Sequence, residues 1–212
     1  MVNLCFLKMM VLSILFTSYL LKTVEHFHFH FSKSQIEENK DNSDNQQEEQ
    51  EEEKPRYAEA FLKNPITNLT LGRIFFSQNS SDSSITIKIS LHGLNPNSTQ
   101  ALIIHELGIT KSGCSDLGKH FNPFNKQHGA REDKERHVGD LGNIESNSLG
   151  NIEMEFTDEL VTLYGPYSVI GRGIVLHSSE DDYGKGNNDA SKETGNVGGG
   201  MACGIIGHSE HD

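Results

Sequence analysis

The chain has 212 residues, 34% of them apolar, with 18 basic against 30 acidic side chains and a formal charge of −12. That length suits one ordinary domain with extensions, and the acidic balance excludes nucleic-acid binding, which needs clustered Lys and Arg against phosphates. Twenty glycines and only 8% aromatics fit a small β-rich domain with many turns better than a helix bundle.

The one long apolar run spans residues 4–21, with Lys8 inside it. It reads as a secretory signal peptide over residues 1–24. An uncleaved signal anchor is the alternative, although Lys8 and the Thr17-Ser18 pair shorten the apolar core. Cleavage removes Cys5 and leaves Cys114 and Cys203, which an oxidising extracellular compartment allows to pair. It also leaves no membrane association. Three sequons follow, at Asn68, Asn79 and Asn97, as potential glycosylation sites. Residues 25–55 read as a His-rich, then acidic, spacer. His26, His28 and His30 alternate, so an extended chain puts them on one side, where they could take Cu(II) or Zn(II). The plainer reading is the tail of the signal region. From Glu37 to Glu53 the chain is acidic and nearly free of apolar residues, so it cannot offset its own conformational entropy and is expected to be disordered.

From Arg56 the pattern changes to short apolar segments at 57–62, 71–78, 85–94, 101–108, 151–156, 160–165, 168–177 and 201–207. Alternation is clearest at Ile85, Ile87, Ile89 and Leu91, with Thr86, Lys88 and Ser90 between them. Turn-type runs separate the segments. Eight strands at this spacing predict an all-β fold, an antiparallel Greek-key barrel or sandwich. Two long polar stretches, 109–143 and 178–200, interrupt the rhythm, and long ordered loops usually carry function or are stapled.

The histidines gather around those stretches. His120, His128, His137 and Asp140 lie in the first, at spacings of eight, nine and three. Three imidazole nitrogens and one carboxylate oxygen suit a four-coordinate structural Zn2+. His105 ends one strand and His177 ends another.

In order, the segments HELG, GCSDLGKHFNPFNKQHG, ERHVGDLGN, VIGR, DDYGKGN, TGN and MACGIIG resemble the Cu/Zn superoxide dismutase family, from Arg56 to Gly207. The resemblance implies an eight-stranded Greek-key barrel over residues 56–208, followed by a short tail at 209–212. It also implies a usually dimeric assembly, and a copper and a zinc ion sharing one imidazolate. Copper in that family cycles between Cu(II) and Cu(I), converting two superoxide ions to O2 and H2O2. Carried onto this chain, His120 is the bridge, and His128, His137 and Asp140 complete the zinc set. Cys114 and Cys203 form the disulfide, and Asp181 is the carboxylate linking the two ligand sets.

The copper side departs from the family. Its H-x-H pair reads Ile103-Ile104-His105 here, so Ile103 stands where the first imidazole belongs. The residual copper ligands are His105, His120 and His177, a weakened site for Cu2+, which prefers a tetragonal set of N and O donors. Asp181 then keeps only His128 as an imidazole partner. The anion-guiding Arg, three residues before the second disulfide cysteine, is Gly200, and Glu193 replaces the Lys before Thr194-Gly195. Lys185 remains. No residue is assigned a catalytic role with Gly200 in that place.

Two functions follow as expectations. The first is a secreted family member that keeps zinc and disulfide but dismutates weakly or not at all, and could sequester copper. The second is an active extracellular superoxide dismutase using a three-His copper site. A copper chaperone on the same barrel ranks below both, because the chain has no C-x-C or C-x-x-C. Glycines at 108, 171, 204 and 207 resemble family interface segments, implying a homodimer or a heterodimer with a related active subunit.

Overall fold

The computed structural model of the protein describes residues 53–109 and 111–211. The expected signal peptide, His26–Phe31 and most of the spacer lie outside the described residues. The strands are β1 (Arg56–Lys63), β2 (Thr70–Gln78), β3 (Ile85–Leu91), β4 (Thr99–His105), β5 (Asp140–Glu145), β6 (Ile152–Asp158), β7 (Gly173–His177), β8 (Gly200–Ile205) and β9 (Gly207–Ser209). A 3-10 turn (Cys114–Leu117) and a short helix, α1 (Asp189–Thr194), lie in the two long loops.

Antiparallel pairing runs in the order β5-β4-β7-β8-β1-β2-β3-β6, with β9 added beside β1. Strands β3 and β4 follow each other in sequence but do not pair. Instead β3 pairs with β6 and β4 with β7, the crossover of a Greek key. The end strands β5 and β6 are not neighbours, so the eight-stranded barrel is nearly closed.

Period-two alternation explains the interior. In β3, Ile85, Ile87, Ile89 and Leu91 are buried, while Lys88 and Ser90 are exposed. They meet Ile74 and Phe76 of β2 and Leu102 and Ile104 of β4 in one core. Strand β7 is buried along its whole length. Ile174 and Leu176 face that core, whereas Val175 packs outward against Leu117 and the Cys114 and Cys203 side chains.

Three expectations need correction. Residues 160–165 form no strand. Val161, Leu163 and Tyr164 are buried, but side chains take the place of a strand partner. Asp158 Oδ1 accepts from the Leu160 and Val161 amides, and Gln78 Oε1 accepts from Leu163. Residues 168–172 are likewise turn, and the strand begins at Gly173. Conversely, β5 falls inside the stretch expected to be loop. Its sequence DLGNIE has a glycine at φ 81° and three polar residues, which hides a strand that pairs with β4.

Candidate metal centre

Strand β5 opens on Asp140, and the loop before it folds back so that three imidazoles face one carboxylate oxygen. Asp140 Oδ1 lies 3.1 Å from His120 Nδ1, 3.0 Å from His128 Nδ1 and 3.2 Å from His137 Nδ1. Its other oxygen is held by the His137 amide at 2.9 Å and the Gly129 amide at 3.3 Å, which fixes the direction of the first. All four residues are buried. His128 Nδ1 faces Asp140 without hydrogen-bond geometry and has no partner of its own. Donors bound to one tetrahedral ion at about 2.0–2.1 Å stand roughly 3.3 Å apart, so the arrangement fits a zinc ion that would satisfy the orphaned nitrogen. Burial pushes the Asp140 carboxyl up, but the imidazoles of His120, His128 and His137 outweigh it and hold it well below the usual carboxylate range.

Asp181 supports this side. Its Oδ1 accepts from His128 Nε2 at 2.7 Å, leaving Nδ1 as the metal-facing nitrogen. Burial draws the His128 ring down. The Asp140 and Asp181 carboxylates more than reverse this, raising it to about 9. Gly195 follows α1 at φ 68°, and a Cβ there would come within 2.0 Å of Asp181 Oδ1 and 2.4 Å of His128 Nε2. Only a bare backbone can pass this contact. Asp181 Oδ2 is buried without a hydrogen-bond partner among the described residues.

His105, His120 and His177 form the second cluster, with His120 shared between the two. His105 ends β4 and donates from Nδ1 to the Gly118 carbonyl at 2.8 Å. His177 ends β7 and donates from Nδ1 to the Gly198 carbonyl at 3.0 Å. Both rings therefore turn Nε2 inward, 3.2 Å apart. Burial pushes each ring down to about 4, so both are neutral donors at physiological pH. Ile103 shares the outward face of β4 with His105, pairs with Val175 beside His177, and is fully buried against Ala101 and Val197.

A cleft of about 760 Å³ leads to these rings. Lys119, Lys126 and Lys192 line it together with Glu106, Asp189 and Glu193, so its charges cancel. Lys119 is further engaged by Glu193 at 2.9 Å. Gly200 contributes no side chain. A Cβ there would lie 2.5 Å from Cys114 Cβ and 3.0 Å from Val175 Cγ1, so a larger residue needs the backbone to shift. Lys185 does not line the cleft but sits by the Tyr183 ring. Cys114 and Cys203 are joined, closing a separation of 89 residues. Asn68, Asn79 and Asn97 have exposed side chains in turns.

Some contributors carry no sequence signal of their own. The Gly118 and Gly198 carbonyls fix two tautomers, and any residue could supply them. Asn143 clamps Asp181 by accepting from its amide at 2.7 Å and donating to its carbonyl at 3.0 Å. Buried Arg136 donates to Asp158 Oδ2 at 2.6 Å and to the His137, Val138 and Asp140 carbonyls. The charge of Arg136 beside a ligand histidine was the available clue.

The family model for copper/zinc superoxide dismutase (SODC) matches residues 70–206. A superoxide dismutase [Cu-Zn] of Cryptococcus neoformans var. grubii is 46% identical over 138 residues, 65% of this chain and 90% of that protein. An extracellular superoxide dismutase [Cu-Zn] of Drosophila melanogaster is 42% identical over 156 residues, 72% of this chain and 86% of that protein. A Candida glabrata superoxide dismutase [Cu-Zn] is 47% identical over 136 residues, 64% of this chain and 88% of that protein. With the barrel, the disulfide and the convergent His/Asp set, these matches identify the chain as a member of the copper/zinc superoxide dismutase family.

Proposed function

We propose that the protein is a secreted, zinc-stabilised member of this family in which superoxide dismutation is weak or lost. The observation that carries the reading is Ile103, buried on the metal-facing side of β4 in a seam with Ala101 and Val197. When bound, copper supplies the one-electron exchange with superoxide. The chain's own part is to hold three imidazole nitrogens in place, with His105 and His177 fixed through Gly118 and Gly198. The cleft adds no net attraction for an anion, although a positively lined cleft raises association rates by about 10 to 1,000-fold. Secretion is supported by the apolar N-terminal run, the disulfide and the similarity to an extracellular superoxide dismutase of Drosophila. The exposed asparagines at 68, 79 and 97 leave room for glycans. A second copy or a related active subunit is proposed to dock around Gly108, Gly171, Gly204 and Gly207, where Phe61 and Leu107 are exposed.

The runner-up is an active extracellular dismutase, favoured by the convergence of His105, His120 and His177. Activity and metal content of the purified, copper- and zinc-loaded protein separate the two. Weak dismutation with one zinc and sub-stoichiometric copper supports the proposal, and a rate near that of the fungal relatives overturns it. Ile103→His is expected to raise copper occupancy and to increase the rate at least tenfold. Because Gly200→Arg meets Cys114, Glu193→Lys is the better companion change for restoring cleft charge.

A further inference from the structure

We infer that the three-imidazole side of the centre holds copper as Cu(I) in preference to Cu(II), and that Ile103 sets this choice. The inference rests on His105, His120 and His177 being the copper ligands, and goes beyond that reading by assigning the valence. Donor geometry is the first argument. Both Nδ1 atoms are committed to backbone carbonyls, so two lone pairs oppose each other across 3.2 Å. A cation between them relieves that opposition. With bonds of about 2.0 Å, adjacent donors of a square plane stand about 2.8 Å apart and opposite donors about 4.0 Å, whereas tetrahedral and trigonal donors stand about 3.3–3.5 Å apart. The 3.2 Å between His105 and His177 is closer to the second group, which suits a d10 ion better than the tetragonal preference of Cu(II).

Ligand number is the second argument. Cu(II) needs a fourth N or O in its plane. The position beside His105 on β4, opposite Val175, is filled by Ile103 and packed against Ala101 and Val197, so no side-chain donor completes the plane there. Cu(I) is satisfied by three nitrogens. Charge is the third. The cost of burying an ion grows with the square of its charge. The carboxylates at this centre serve the zinc side, Asp140 facing its three imidazoles and Asp181 bonding to His128. The three clustered ligands on the copper side are all imidazoles, and Glu106, Asp189 and Glu193 in the cleft are offset by Lys119, Lys126 and Lys192, so a monocation is the cheaper occupant.

The test uses zinc-loaded, full-length secreted protein. Copper is titrated anaerobically as Cu(I) against a colorimetric Cu(I) chelator, and separately as Cu(II) against a Cu(II) chelator, alongside Ile103→His. The wild-type ratio of Cu(I) to Cu(II) affinity is expected to exceed that of the variant at least tenfold, which places its potential at least about 59 mV higher. Added Cu(II) is expected to give little tetragonal EPR signal in the wild type and a clear one in Ile103→His. Equal ratios, a tetragonal four-nitrogen signal in the wild type, or a second zinc that equimolar Cu(I) does not displace would each overturn the inference. Binding of neither valence overturns the ligand assignment beneath it as well. Should Ile103→His fail to fold, Ile103→Met keeps the site apolar and adds a soft thioether. It is expected to raise Cu(I) affinity alone, and an equal gain for Cu(II) counts against the inference.

Discussion

At the scale of single residues, the centre divides its work by which atom each side chain leaves free. Asp140 and Asp181 both spend their charge on the zinc side, and Ile103 leaves the other side with imidazoles alone. Asp181→Asn should therefore act on zinc: affinity falls by about 10–100-fold, as for other partners that orient a ligand histidine. Cu(I) affinity should stay within about twofold, because Asp181 Oδ2 has no partner to release. Competition titration with a zinc chelator beside the Cu(I) titration reads both, and an equal loss of both metals would show that the carboxylate still couples the two sites. The ligand histidines were legible in the sequence because polar side chains at close spacing, in a stretch without its own apolar face, have little reason to gather except a metal. The carbonyls of Gly118 and Gly198 were not legible, since backbone atoms carry no residue signature.

Among the elements, the loop that bears the zinc ligands is anchored by contacts outside the centre. Arg136 reaches from the ligand segment to Asp158 at the end of β6, with both side chains buried. Removing one partner of a buried pair strands the other charge. Arg136→Leu should destabilise the protein by about 3–5 kcal/mol in denaturant unfolding, and Arg136→Leu with Asp158→Leu by clearly less. A single-variant loss below about 1 kcal/mol would mean that water reaches Asp158. Alternation exposed β3 because one of its faces is wet and the other dry. It failed for β5, where Gly142 and Asn143 interrupt the pattern, and it misled at Val161, Leu163 and Tyr164, which are buried without a ladder. Burial and strand pairing are separate events, and hydrophobic period reports only the first.

For the molecule as a whole, the chain carries a formal charge of −12, and the charges lining the cleft cancel. An anionic substrate thus meets weak repulsion at long range and no local funnel. Raising ionic strength from about 10 to about 200 mM should leave the second-order rate with superoxide unchanged or slightly higher, as screening removes the repulsion. Pulse radiolysis measures this directly, and a steep fall with salt would reveal steering that the paired lysines do not provide. The barrel topology was legible from segment count and motif order, while the near-closure between β5 and β6 depended on a strand the sequence concealed. The disulfide has a consequence for biogenesis. Its second cysteine sits in β8, so the covalent lock on the first long loop waits until the strands from β1 to β8 have been synthesised. Until then that loop is open to proteases and to premature metal capture. Such distant pairings form slowly, which leaves a window in which metal supply and oxidation must arrive in step.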